Sequence, residues 1–161
     1  NPLEIGYFDR GPIDPNMLVL AGSWSAYWYN GRIYSSEIAR GLDIFELTPT
    51  KFLTQNEIDA AKSVQVSALN VQMQEMTKWP NKLIVAKAYV DQLERSNGLQ
   101  GGQIASLRKS IESAETSKTA KDLDALKRHA AVLERGARTT KDTTDAARLR
   151  ALAEVLKQPS L

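Results

Sequence analysis

The chain has 161 residues, 42% of them hydrophobic and 25% charged, with 21 basic against 19 acidic side chains and no cysteine. That composition is ordinary for globular protein, and the near-even charge argues against a nucleic-acid footprint spread over the whole surface. Without cysteine there are no disulfides, no thiolate metal sites and no cysteine nucleophile.

Nine of the eleven aromatic residues precede position 53 and none follows Tyr89, so the chain changes character near Phe52. Up to Leu47 short runs rich in aromatic and β-branched residues alternate with turn residues, the signature of strands. Four are expected. Leu3 to Phe8 is the first, ended by Asp9-Arg10-Gly11-Pro12. Ser23 to Tyr29 is the second, joined through Asn30-Gly31 to a third at Arg32 to Ser36. Asn-Gly between two such runs is the strongest short-range hairpin signal. Gly41 then allows a turn into the fourth, Leu42 to Leu47. Alternation assigns Trp24, Ala26 and Trp28 to one face of the second strand and Ser25, Tyr27 and Tyr29 to the other. Both faces are bulky, so both call for cover.

From Thr54 the period becomes helical. Thr54-Gln55-Asn56-Glu57 forms a capping box, and a helix is expected from Gln55 to Leu69. The segment through Trp79-Pro80 reads as irregular or only partly helical. Helices follow at Asn81 to Ser96, with Gly98 just past its end, at Gln103 to Ser117, at Ala120 to Arg135, stopping near Gly136, and at Lys141 to Lys157. Apolar residues at helical spacings run through them as expected core stripes: Leu83, Ile84, Ala86, Tyr89, Val90 and Leu93, then Ile104, Leu107, Ile111 and Ala114, then Leu123, Leu126, Ala130 and Leu133, then Ala146, Leu149, Leu152 and Leu156. Short connections favour antiparallel neighbours, hence an up-and-down bundle. The expected organisation is residues 1–52 as a sheet segment, 53–80 as a linking helix and irregular stretch, and 81–161 as the bundle: α+β by segment. The longest apolar run, Met17 to Ala21, is too short to span a bilayer, and the first residues lack the features of a signal peptide.

Few residues suggest chemistry. His129, the one histidine, reads as an ordinary helix residue, since alone it completes neither a zinc set nor a serine triad. Asp9, Asp14, Glu37, Asp43 and Glu46 fall in the strand segment, where turn and solvent-facing roles are the expectation. Gly98, Gly101 and Gly102 lie between helices and so do not form a phosphate loop. Gly22 to Ser25 lacks the second glycine of a nucleophile elbow. No catalytic residue, cofactor site or metal site is assigned. The positive bias of Lys127, Arg128, Arg135, Arg138, Lys141, Arg148 and Arg150 has no aromatic partners for base stacking, which leaves a solvated helix surface or attraction to an acidic partner or anionic surface.

The patterns P-L-E-I-G-Y-F-D (Pro2 to Asp9) and W-S-A-Y-W-Y-N-G-R-I-Y-S-S-E-I-A-R-G-L-D-I-F-E-L (Trp24 to Leu47) resemble the last repeat of bacterial LVIVD-repeat proteins, whose repeats are similar to β-propeller blades. T-Q-N-E-I-D-A-A (Thr54 to Ala61) and W-P followed by V-A-K-A-Y-V-D-Q-L-E-R (Trp79 to Arg95) look like the C-terminal extension of the same proteins. The helices from Tyr89 to Arg135 are similar to the FIMAH-type helical module of exported bacterial proteins. The resemblance implies an extracellular, cell-surface or periplasmic protein with no catalytic residues to transfer. It makes Pro2 to Phe8 the outer strand of one blade and the strands at Ser23, Arg32 and Leu42 the inner three of the final blade, so that residues 1–52 form a partial β-propeller. A propeller closes with about four to eight blades. The remaining blades, on another polypeptide or outside these 161 residues, are therefore the expected partner, with Ile5, Tyr7, Trp24, Tyr27 and Trp28 at the sheet interface. The strand roles also bring Arg10, Glu37 and Arg40 to one rim as an ion-pair cluster, either structural or touching a ligand or partner. Two other readings stay open: one wall of a propeller enzyme whose active site lies on other sequence, and a helical adaptor docking by strand addition.

Overall fold

The computed structural model describes residues 3–73 and 76–160. The chain divides into two compact units, Asn1–Thr77 and Lys78–Leu161. The first holds a small antiparallel sheet and one helix, the second four helices, so the fold is α+β by segment.

In the first unit β1 (Ser23–Tyr29), β2 (Arg32–Glu37) and β3 (Gly41–Phe45) form a meander in the order β1-β2-β3. Asn30 and Gly31 join the first pair with φ of 46° and 93°, the two left-handed positions of a type I′ turn. The register pairs Ala26 with Ser35 and Ser35 with Asp43, and Trp28 with Ile33 and Ile33 with Phe45, on one face. Tyr27, Tyr34 and Ile44 form a row on the other face, beside Ser25, Ser36 and Leu42. A register shift between Ser23 and Ser25 leaves Trp24 without a partner residue, which corrects the expectation that Trp24 simply continues the alternation of Ala26 and Trp28.

Leu3 to Phe8 is not a strand. Those residues have no ladder, and Phe8 packs instead on Phe45 with ring centroids 4.7 Å apart. Asp9 accepts from the Gly11 amide at 2.7 Å, and Gly11 takes φ of 73°, so the chain turns there. An extended run becomes a strand only where a neighbouring backbone meets its amides and carbonyls, and among the described residues none does so here.

Helix α1 (Gln55–Lys62) starts with the expected capping box, the Thr54 hydroxyl accepting from the Glu57 amide and the Glu57 carboxylate from the Thr54 amide at 2.8 Å. It ends seven residues earlier than Leu69. The Asn30 side chain, at the hairpin tip, accepts from the Val66 amide and donates to the Val66 carbonyl, both at 2.9 Å. Those backbone groups are thereby taken from any continuing helix.

In the second unit α2 (Leu83–Arg95), α3 (Gly101–Ser117), α4 (Ala120–Thr139) and α5 (Thr143–Lys157) pack each on its sequence neighbour, and α5 returns to α2. Cross-links fix antiparallel directions: Ser160 N–H donates to Asn81 O at one end of the α2–α5 pair, and Ser96 Oγ donates to Asp145 at the other. Leu93, Ile111, Leu126, Leu152 and Leu156 are fully buried. Ile84, Tyr89 and Leu123, expected in the core, are only half-buried, while Val85 and Ala88 are buried. Helix α4 continues past Gly136 to Thr139 because Ala137 is part of the core and both Thr139 and Thr140 hydroxyls donate to the Gly136 carbonyl. One mid-helix glycine costs only about 1 kcal/mol relative to alanine, so it does not by itself end a helix.

Candidate functional site

The Ala26–Ser35–Asp43 face of the sheet lines a cleft of about 420 Å³, flanked by Phe8 to Gly11 and by Ala21 and Gly22. Arg10, Glu37 and Arg40 all line it. They are brought together there, yet they do not pair with one another as an ion cluster. Glu37 is bound by backbone: one carboxylate oxygen accepts from the Gly22 amide at 2.6 Å, and the other from the amides of Ala39, at 2.9 Å, and Arg40. The Gly22 amide first, then those of Ala39 and Arg40 and the Arg40 charge, hold its carboxyl below the usual range. Arg10 pairs with Asp43 and lies over the Phe8 ring. The Arg40 guanidinium donates to the Gly11 carbonyl at 3.1 Å.

Glu37 therefore closes two turns, and the arginines pin the segment from Phe8 to Gly11 over the sheet. A general acid needs a raised carboxyl pKa, the opposite of the direction at Glu37. Among the described residues no group of three or more His, Asp or Glu is placed to hold a metal ion. The cleft offers paired hydroxyls, Ser23 Oγ to Ser35 Oγ at 2.6 Å, beside guanidinium groups that already have partners.

The opposite face of the sheet is apolar and open. Leu42 is 61% exposed, Ile44 54% and Tyr27 44%, with Tyr34 beside them half-buried. Of the residues expected at a sheet interface, Ile5, Tyr7, Trp24 and Tyr27 are exposed and Trp28 is half-buried. Leu42 and Ile44 belong with them by exposure. Their alternation with Asp43 and Phe45 was the available signal.

Comparison of the chain with protein families, with curated proteins and with solved structures finds no match.

Proposed function

We propose that this chain is the C-terminal segment of an exported LVIVD-repeat β-propeller protein, acting as a non-catalytic interaction or scaffold subunit whose sheet packs against further blades. One observation carries the reading. Among the described residues, the buried hydrophobic core lies almost wholly in the helical unit, with only Ile58 and Ala60 in the first, whereas nearly every exposed large hydrophobic side chain belongs to the first unit. A three-stranded sheet exposing aromatic and aliphatic side chains on an open face lacks the second layer that sheets require, and large exposed apolar patches mark interaction surfaces. A meander of three antiparallel strands has the form of a propeller blade's inner strands. Export rests on the resemblance alone.

The native mass of the purified protein, with identification of every chain in it, is the test. A second polypeptide, or a longer form of this one, carrying further strand repeats in contact with Leu42 and Ile44 is the expected result. A folded monomer of this chain whose β1–β3 amides resist exchange as strongly as those of α2–α5 would overturn it. Strand addition is the second reading, favoured by β1 and β3 each having, among the described residues, one unpaired edge in the sheet. It predicts a partner backbone bonded to β3 rather than side chains stacked on the open face.

A further inference from the structure

We infer that the groove between α3 and α4 is a docking site for an acidic amphipathic segment of a partner protein. The groove, about 280 Å³, lies wholly within the helical unit, so the inference does not depend on the reading of the sheet. Leu107 and Leu133 are recessed within it, and Leu99 and Val132 stand at its sides. Among the described residues of the four helices, Val132 is the exposed large hydrophobic side chain.

Charge decides the occupant. Arg128 and Arg135 precede and follow Val132 by four and three residues, so they are its neighbours on the surface of α4. Both are exposed, and neither forms a hydrogen bond or ion pair with a described residue. On the α3 side the mouth is formed by Gly102, Gln103 and Ser106, which carry no charge. A Cβ built on Gly102 meets nothing within 4 Å, so this side is open to entry. An apolar trough with cations along one rim and no anion on the other fits a helix or extended segment that inserts aliphatic side chains and sets carboxylates against α4. An anionic membrane fits less well, because insertion into lipid requires apolar groups that protrude, and the leucines here are recessed.

The test is a fluorescent helical peptide with leucine at every third or fourth position and glutamate on the flanks, titrated onto the full chain beside a counterpart with lysine in place of glutamate. The glutamate peptide is expected to bind, to weaken with added salt and to shift the ring resonances of His129, which lines the groove. The double variant Arg128→Ala, Arg135→Ala should bind it roughly tenfold more weakly, as loss of two rim charges implies. Gly102→Leu, which fills the mouth, should abolish binding at unchanged helicity, with Ser106→Leu read in its place if helicity falls. Equal binding of the lysine peptide, binding indifferent to the leucine variants, Arg128-dependent adsorption to phosphatidylserine vesicles without peptide binding, or dimerisation of the chain through the groove would each overturn the inference.

Discussion

Glu37 takes amides from two separate turns, Gly22 on one side and Ala39 and Arg40 on the other. Its carboxyl titrates below the ordinary 4.5 when folded, so the unfolded chain binds the proton first as pH falls. The stabilisation is complete above about pH 4.5 and is lost as the pH drops through the lower folded value. Asp122 behaves alike, its carboxyl held well below 3.8 by the hydroxyls of Ser117, Thr119 and Ser113. Glu37→Gln is therefore expected to speed exchange of the Gly22 and Ala39 amides at neutral pH, and the gap from the parent protein should close in acid. A gap of the same size well below pH 4.5 would mean that charge is not the cause. His129 titrates below its ordinary 6.5, first because it is part-buried and then because of the Arg128 charge. Its unfolded form is protonated first, so the bundle loses stability as pH falls below about 6.5. Arg128→Ala should move the imidazole titration upward, as followed by its ring resonances.

Helix ends are set by single groups. At the end of α2, Ser96 is followed by Asn97 with φ of 58°, and the Gly98 amide returns to the Leu93 carbonyl at 2.8 Å while the Asn97 amide returns to Glu94, a Schellman arrangement. An added Cβ at Gly98 would lie 2.8 Å from an Asp145 carboxylate oxygen and 2.9 Å from Leu93 Cδ2. Gly98→Ala is accordingly expected to destabilise the bundle by about 1–3 kcal/mol in urea unfolding, the usual cost of overpacking. Thr54→Ala should cost about 1 kcal/mol through loss of the cap of α1. Asn30→Gly keeps a residue suited to the left-handed turn but deletes the clamp on Val66, so the hairpin should persist while the Val66 amide exchanges faster, a local loss of about 1–2 kcal/mol for two hydrogen bonds.

The two units differ in what they can satisfy alone. The second closes a core through Leu93, Ile104, Leu107, Ile111, Leu126, Leu149 and Leu152. Residues 78–160 produced alone are expected to keep their helicity and melt cooperatively, whereas residues 3–77 alone should lack a cooperative transition and bind a hydrophobic dye. A cooperative melt of the isolated first unit would contradict the proposal that its sheet needs further blades.

By itself the sequence determined the three paired strands, the Asn30–Gly31 hairpin, the capping box at Thr54 and the four bundle helices, because each is coded by local periodicity or by a turn whose backbone angles only certain residues accept. The candidate cleft was legible only in part: Arg10, Glu37 and Arg40 share it, but their partners are the Asp43 carboxylate, backbone amides and the Gly11 carbonyl. Only the tertiary structure decided those partners, the end of α1 at Lys62 through Asn30, the continuation of α4 past Gly136 and the failure of Leu3 to Phe8 to become a strand. Most of these outcomes turn on a residue far along the chain, Gly22 for Glu37, Asp43 for Arg10, Gly11 for Arg40, Asn30 for Val66 and Phe45 for Phe8, and local propensity carries no information about such partners.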